Sequence, residues 1–174
     1  MKKALLYLVF AAMAGAMALL FTSCDKDDIR PMVSITGEFT NTPNPAAGFN
    51  QVTMPDGSVM TFPKQYIVDG NCNVMGAIDE SLSTLQSVNP SFDPRFGFKG
   101  EINITLADAD GDKLYFKGDF IMFQDFFIIC YLRIDGGTGR YENSQGWFNA
   151  TGQFNPENGV NTITGAGEVT EPEK

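Results

Sequence analysis

Apolar and polar side chains alternate along much of the chain after residue 32. Residues 33–40 place an apolar side chain or glycine at each odd position and Ser, Thr or Glu at each even position. Residues 100–106 repeat the pattern in the opposite phase. A period of two residues is typical of a strand with one face in a core. Because Gly, Asn, Asp and Pro interrupt the pattern at short intervals, we predict an all-β domain.

The predicted strands are rich in β-branched and aromatic residues and are bounded by turn residues. They cover residues 33–40, 51–54, 58–62, 65–68, 72–78, 98–106, 113–123, 126–134, 146–154 and 160–169. Residues 41–50 and 89–95 each contain two prolines and are predicted to be loops. Residues 79–88 have two interpretations. The spacing of Leu82, Leu85 and Val88 favours a helical turn, whereas several Ser and Thr disfavour one, so a strand is the alternative.

Short strands with short connections predict a closed antiparallel barrel of about eight strands, because closure removes the open sheet edges that invite aggregation. Side chains can fill the interior of an eight-stranded barrel, or the interior can hold one small ligand. The strand at 126–134 is apolar on both faces. It is therefore expected to be covered on both sides or to pack on a partner.

The N-terminus has the layout of an export signal. Lys2 and Lys3 precede an uncharged apolar run at residues 4–21. The sequence Phe21-Thr22-Ser23-Cys24 follows and resembles the lipobox of bacterial lipoproteins. We predict that residues 1–23 are removed and that Cys24 carries lipid, which holds the protein at a membrane surface. The alternative is a transmembrane anchor, since the run is close to the ~20 residues of a spanning helix, but charged residues follow Cys24 at once.

The residues after Cys24 suggest a location. Asp25-Lys26-Asp27-Asp28 resembles the acidic signal that directs lipoproteins of the Bacteroidota to the outer face of the outer membrane; the alternative is a solvated acidic linker. We predict a tether at 24–31, a single barrel domain at 32–170 and a charged tail at 171–174. The expected location is the bacterial outer membrane, lipid-anchored and facing the exterior.

Composition excludes several functions. Without Lys2 and Lys3 the mature chain has ten Lys and Arg against 21 Asp and Glu, a net charge of −11, so nucleic acid is a poor partner. The chain contains no histidine, which excludes Ser-His-Asp and Cys-His catalysis and most zinc sites. We assign no catalytic residue, metal or cofactor. Cys72 and Cys130 could form a disulfide or be two small buried residues on different strands.

Two groups of acidic residues are candidates for chemistry. Asp108, Asp110 and Asp112 alternate as in a calcium loop, but the glycine falls at the fourth position instead of the sixth, so a polar hairpin turn is predicted. The carboxylates of Glu101, Asp119 and Glu142 could serve acid chemistry if buried. No pattern places any two of these three together, and we expect Glu101 and Asp119 to face solvent.

The aromatic residues have two interpretations. They could line a ligand cavity or fill a core. This group comprises Phe116, Phe120, Phe123, Phe126, Phe127, Tyr131, Phe148 and Phe154. Trp147 could contact a lumen ligand or pack within a strand, and packing is preferred.

The segment Ile134-Asp135-Gly136-Gly137-Thr138-Gly139-Arg140-Tyr141, followed by Gly146, Gly152, Gly165 and Gly167, resembles the C-terminal signature of the allene oxide cyclase and dirigent-like barrels. The likeness covers residues 101–169. It implies a small barrel whose lumen can accept an apolar molecule. Arg140 and Tyr141 are expected to lock the glycine-rich turn against the barrel rim. The family's catalytic residues have no match here and none is carried over.

Three function classes remain. The first is a surface binding module for an apolar small molecule or a protein, and the second is a structural envelope component. The third, an alternative to both, is a cyclase- or dirigent-like catalyst in the lumen, supported by fold analogy alone. We expect a lipid-anchored binding or structural module.

Overall fold

Eleven β-strands provide nearly all regular structure of residues 30–173, the part of the chain that the computed structural model describes. They are β1 (Met32–Pro43), β2 (Phe49–Thr53), β3 (Val59–Pro63), β4 (Gln65–Cys72), β5 (Gly76–Ala77), β6 (Thr84–Asp93), β7 (Gly97–Ala107), β8 (Lys113–Met122), β9 (Phe127–Gly137), β10 (Gln145–Phe154) and β11 (Asn161–Thr170). Two 3-10 turns lie at Pro45–Ala47 and Gly139–Tyr141.

Eight of these strands close into an antiparallel barrel, which confirms the predicted fold class. Their order is β1-β11-β10-β9-β8-β7-β6-β4, and β4 pairs back onto β1. The closing register joins Gly37 to Cys72 and Pro43 to Tyr66. Strands β2 and β3 form a separate two-stranded hairpin, and the two residues of β5 extend β4. Closure satisfies the edge groups that an open sheet would expose.

Alternating residues of each barrel strand point into the lumen, as the period-2 pattern predicted. On β9 the buried residues are Ile128, Cys130, Leu132 and Ile134, and the outward positions between them are exposed or half-buried. Among the outward apolar side chains of β9, Phe127 and Tyr131 are exposed and Ile129 is half-buried, so the described residues cover this face only in part. The expected second layer over this strand is therefore not supplied by residues 30–173, and a partner on this face stays a prediction.

The predicted loop at 89–95 is wrong, because β6 runs through Pro90 to Asp93. The β6–β7 register shifts between Val88 and Ser91, so Pro90 lies in an irregular stretch of the strand. Proline has no N–H to donate, and this stretch requires none. Of the two interpretations of residues 79–88, the helical turn is wrong and the strand is confirmed from Thr84 onwards. Only a tight turn occurs there, with the Leu82 amide donating to the Asp79 carbonyl at 3.2 Å, and β6 begins at Thr84.

The boundary predicted at residues 69–71 is wrong as well. Strand β4 continues from Gln65 to Cys72, and only Gly76–Ala77 of the predicted strand at 72–78 forms a separate pairing. Gly70 makes this continuity feasible. A Cβ atom at Gly70 would lie 2.1 Å from the Glu38 carbonyl oxygen, and its φ of 147° is unfavourable for other residues.

The barrel has two distinct ends. At the N-terminal end lie the start of β1, the β7–β8 turn, the connection between β9 and β10, and the last residues of β11. At the opposite end, which we call the hairpin end, β2 and β3 cover the lumen. Phe62 of β3 packs edge-to-face on Phe98, with ring centroids 4.7 Å apart. The Asn50 side chain fixes the hairpin by donating to the Ser87 carbonyl at 3.1 Å.

Candidate functional site

Side chains fill the barrel lumen. Its two residual cavities have volumes of about 50 Å³ and 30 Å³, whereas small-molecule pockets usually measure about 300–1,000 Å³. The larger cavity lies towards the hairpin end beside Tyr66, Ser87 and Asn161, and the smaller lies beside Phe39 and Phe116. Of the two interpretations of the aromatic residues, the filled core therefore describes the lumen.

Phenylalanine rings fill the middle of the lumen because glycines make room for them. The Phe148 ring packs edge-to-face on Phe39 and Phe116, with centroids 6.2 Å and 5.8 Å apart. A Cβ atom at Gly165 of β11 would lie only 2.4 Å from the Phe148 ring. The glycines in the closing strands thus shape the core in addition to marking the fold.

Asn41, Tyr66 and Asn161 place polar groups in the otherwise apolar lumen, and no sequence pattern indicated them. Asn41 donates from its side-chain amide to the Asn161 carbonyl oxygen at 2.5 Å, so this buried pair is at least partly satisfied. The Tyr66 hydroxyl makes no hydrogen bond to residues 30–173. Burial raises the pKa of Tyr66 to about 12, so its hydroxyl stays neutral and can donate.

A buried ion pair locks the N-terminal end of the barrel. The Asp108 carboxylate is 1% exposed and accepts from the Arg140 guanidinium at 2.7 Å and 3.0 Å. The Tyr141 hydroxyl donates to the same oxygen at 3.2 Å. The other Asp108 oxygen accepts the backbone amides of Asp110 and Asp112, each at 3.0 Å. This one carboxylate therefore holds its own hairpin turn and the Gly139–Tyr141 turn together.

This hydrogen-bonded network around Asp108 agrees with the role at the barrel rim expected of Arg140 and Tyr141. It also explains why Asp108, Asp110 and Asp112 alternate, since they form a hairpin turn. The Arg140 guanidinium lies 4.9 Å from the centre of the Tyr141 ring, and the Arg140 backbone amide donates to Asp112 at 3.1 Å. Burial is the main cause that raises the pKa of Tyr141 above its ordinary value. Within residues 30–173 no cluster of three or more acidic, Cys or His side chains could hold a metal.

The candidate carboxylates do not form a buried site. Glu101 and Asp119 lie directly opposite each other on β7 and β8, a pairing that the sequence did not indicate. Both are exposed on the outer face, as expected. Glu142 is exposed in the connection between β9 and β10, at the N-terminal end. None of the three reaches the lumen.

Cys72 and Cys130 are free and buried, on β4 and β9. The disulfide alternative is therefore wrong for this structure, and the alternative of two small buried residues on different strands is confirmed. Burial raises the pKa of both thiols, that of Cys130 to about 12. A thiol with a raised pKa is a weak nucleophile, so neither cysteine fits a reactive role.

Cys24 lies outside the described residues, together with the predicted signal at 1–23 and most of the tether. Its lipidation stays a prediction. Within residues 30–173 no helix is long and apolar enough to cross a membrane.

The outer face of the barrel carries two large aromatic side chains side by side. Tyr131 of β9 is 55% exposed and Trp147 of β10 is 45% exposed. Tyr131 lies opposite Asn149, and Trp147 lies opposite Arg133, so the two aromatic residues are diagonal neighbours. The preferred interpretation of Trp147 as a packed residue is wrong, as is a lumen contact. Position in the register, which the sequence pattern alone does not supply, turns the side chain outward.

We call this surface the outer aromatic face and define it by Asp119, Tyr131, Arg133, Trp147 and Asn149. Asp119 belongs to it because it lies opposite Tyr131 on the β8 side. The sequence signal that could have found this surface is the double-sided apolar character of residues 126–134, since a barrel strand needs only one apolar face.

Comparison with protein-family models and with curated proteins finds no match. Solved structures do resemble the chain. The pterocarpan synthase dirigent protein GePTS1 matches with a TM-score of 0.50 and 14% identity, over 87% of this chain and 94% of that protein. The fold is that of a dirigent-like barrel. The pterocarpan synthase dirigent protein PsPTS1 matches with a TM-score of 0.48 and 16% identity, over 83% and 97% of the two chains. At these identities the dirigent-like likeness concerns the fold alone.

Proposed function

We propose that this protein is a lipoprotein of the outer bacterial surface, anchored through Cys24, that binds a partner on the outer aromatic face of its barrel. The observation that carries the proposal is the distribution of aromatic side chains. The lumen is already filled, with residual cavities of about 50 Å³ and 30 Å³, while Tyr131 and Trp147 are exposed beside each other. Exposed aromatic residues are enriched at binding surfaces.

The proposed anchor agrees with this arrangement. Strand β1 begins at Met32, and the eight tether residues 24–31 can span at most about 29 Å. A lipid on Cys24 would therefore keep the barrel close to the membrane. The outer aromatic face lies on the wall of the barrel, between its two ends, so it would stay open to a partner at the cell surface.

A photo-crosslinking amino acid at Asn149 tests the proposal in the native bacterium. Position 149 lies within the outer aromatic face, and position 40 is a matched control, because Thr40 is also exposed and outward on the barrel wall. We expect a crosslinked product from position 149 that is absent from position 40. Products from neither position, or equal products from both, would contradict binding at this face.

The anchor has a separate test. We expect mass spectrometry of the mature protein to find lipid on an N-terminal Cys24, and protease added to intact cells to degrade the barrel. In Cys24→Ser we expect the unmodified precursor and loss of the protein from the membrane fraction. An unlipidated mature terminus would contradict the anchor without affecting the binding face.

A dirigent-like activity in the lumen is the second candidate. It is favoured by the neutral Tyr66 hydroxyl and the Asn161 amide, which border the larger lumen cavity. It ranks second because about 50 Å³ holds no more than a few water-sized groups. If it operates, phenol should raise the melting temperature of the wild type and not of Tyr66→Phe. An equal response in both proteins would contradict a specific role for the lumen.

A further inference from the structure

We infer that the outer aromatic face binds a neutral carbohydrate chain, with Tyr131 and Trp147 stacking on sugar rings. The inference rests on the proposed function and names its ligand class. Aromatic rings have a negatively charged face, which attracts the slightly positive C–H groups on the flat side of a pyranose ring. The polar side chains around the two rings would bind the sugar hydroxyls.

The first argument is that both aromatic side chains are available. Neither the Tyr131 hydroxyl nor the Trp147 indole N–H has a hydrogen-bond partner within residues 30–173, and neither ring belongs to an aromatic pair there. Their diagonal positions on adjacent antiparallel strands place the Cβ atoms about 7–8 Å apart or somewhat less. Two rings at this spacing on a sheet can contact neighbouring units of one chain.

The second argument is that unused hydrogen-bonding groups border the two rings. The Asn149 amide lies opposite Tyr131 on one side, and the Asp119 carboxylate lies opposite it on the other. Neither side chain has a hydrogen-bond partner in the described chain. An amide and a carboxylate together offer two N–H donors and several acceptor oxygens. Sugar hydroxyls both donate and accept, so they complement this mixed set.

The third argument is charge. Glu168 lies opposite Trp147 on its other side, and Glu101 lies opposite Asp119, so acidic groups border the face. Two cations, Arg133 and Lys117, lie opposite each other on β9 and β8. Asp135 lies 3.6 Å from Arg133 and 3.7 Å from Lys117 and partly neutralises both, which leaves carboxylates in excess on this surface. This environment repels anionic polysaccharides, nucleic acids and anionic lipid headgroups. A neutral chain avoids that repulsion and leaves the surrounding charges hydrated.

A protein partner fits the same surface less well. A standard protein interface buries about 800 Å² on each side, and its centre is depleted of charged residues. On this face Asp119 and Arg133 lie directly beside the aromatic residues. A protein would have to remove water from these charges, whereas a sugar chain replaces that water with hydroxyl groups.

The chain contains a built-in reporter for the test, because Trp147 is its only tryptophan. The full-length protein is kept in a polyoxyethylene detergent, since alkyl glycosides would compete. It is titrated to millimolar concentrations with neutral oligosaccharides of β-glucan, α-glucan, xylan, mannan and galactan. We expect at least one series to change the tryptophan emission to saturation. We expect Tyr131→Ala to weaken that binding about tenfold, equal to about 1.4 kcal/mol.

Calorimetry extends the test to variants without the tryptophan. We expect Trp147→Ala to lose most of the binding heat and Trp147→Phe to keep part of it, because phenylalanine retains a flat ring. Phe96→Ala is the matched control, since Phe96 is 41% exposed at the hairpin end, and it should bind as the wild type does. Binding heat without an emission change would overturn the assignment to this face, as would equal losses in all variants.

The remaining outcomes separate the inference from the proposed function. If no oligosaccharide binds, the carbohydrate class is overturned. The crosslinking experiment at Asn149 then decides whether the face binds anything. A discrete product that contains protein would preserve the proposed function and replace the ligand class, whereas the absence of any product would remove both.

Discussion

Replacing Asp108 with alanine removes the lock at the N-terminal end of the barrel. Its carboxylate is 1% exposed and holds the Arg140 guanidinium at 2.7 Å and the Tyr141 hydroxyl at 3.2 Å. It also accepts the backbone amides of Asp110 and Asp112. In Asp108→Ala these donors lose their acceptor, and the Arg140 charge loses its partner.

The expected destabilisation follows from the burial of the pair. Removing one member of a buried ion pair costs about 3–5 kcal/mol, because the other charge stays behind without compensation. The Arg140 side chain is 36% exposed, so water recovers part of that loss. We therefore expect the free energy of unfolding to fall by about 3 kcal/mol. For a domain of this size the melting temperature should fall by roughly 6–12 °C.

Urea and thermal unfolding, followed by circular dichroism, measure the effect. Asp110→Ala is the control, because Asp110 is exposed and its carboxylate holds no partner in the described chain. The free energy of unfolding of Asp110→Ala should stay within about 0.5 kcal/mol of the wild-type value. The free energy of unfolding of Asp108→Asn should lie between those of Asp108→Ala and Asp110→Ala, because the amide oxygen of asparagine still accepts one set of hydrogen bonds. The reasoning is refuted if Asp108→Ala is no less stable than Asp110→Ala.

Three further predictions concern the core and the surface. Cys72 and Cys130 should resist maleimide in the native protein and both react after unfolding, without prior reduction; modification only after reduction would indicate a disulfide. Gly165→Ala should lower the free energy of unfolding by about 1–3 kcal/mol through overpacking, as measured in urea, because the new Cβ meets the Phe148 ring; an unchanged midpoint would refute this. The pKa of Asp93 is lowered chiefly by the Arg95 side chain, so the carboxylate stabilises the fold above its unfolded pKa of about 3.9 and loses this effect as the pH falls. Asp93→Asn should thus be less stable than the wild type at neutral pH and similar to it in strong acid, and an equal deficit at both pH values would count against the ion pair.

Local sequence patterns predicted most strand cores, because a period of two residues is a property of neighbouring positions. The turn at residues 108–112 is predicted for the same reason, since glycine and aspartate favour such turns locally. The errors occur where pairing overrides local preference. Two prolines predict a loop at residues 89–95, yet the register shift in β6 accommodates Pro90 within a strand. The predicted strand boundary at residues 69–71 contains Gly70, yet Gly70 allows β4 to pass close to β1 without a break.

The outer aromatic face likewise combines features that the local sequence indicated with features that only strand pairing decides. The sequence indicated that residues 126–134 carry apolar side chains on both faces, one more face than a barrel strand buries. Which aromatic residues face outward depends on the register of β9 with β10. The partner of Arg140 was also beyond local reasoning, because Asp108 lies 32 residues away and meets it only when the barrel closes.

The sequence by itself determined the all-β class, the barrel and the absence of histidine chemistry, because composition and short-range periodicity carry that information. It also predicts the export signal. The tertiary structure decided that the lumen is filled, that Cys72 and Cys130 stay apart, and that Tyr131 and Trp147 lie together on the outside. These outcomes depend on how all eight strands share one interior volume. Neither a volume nor a register between distant strands can be obtained from any one segment of the chain.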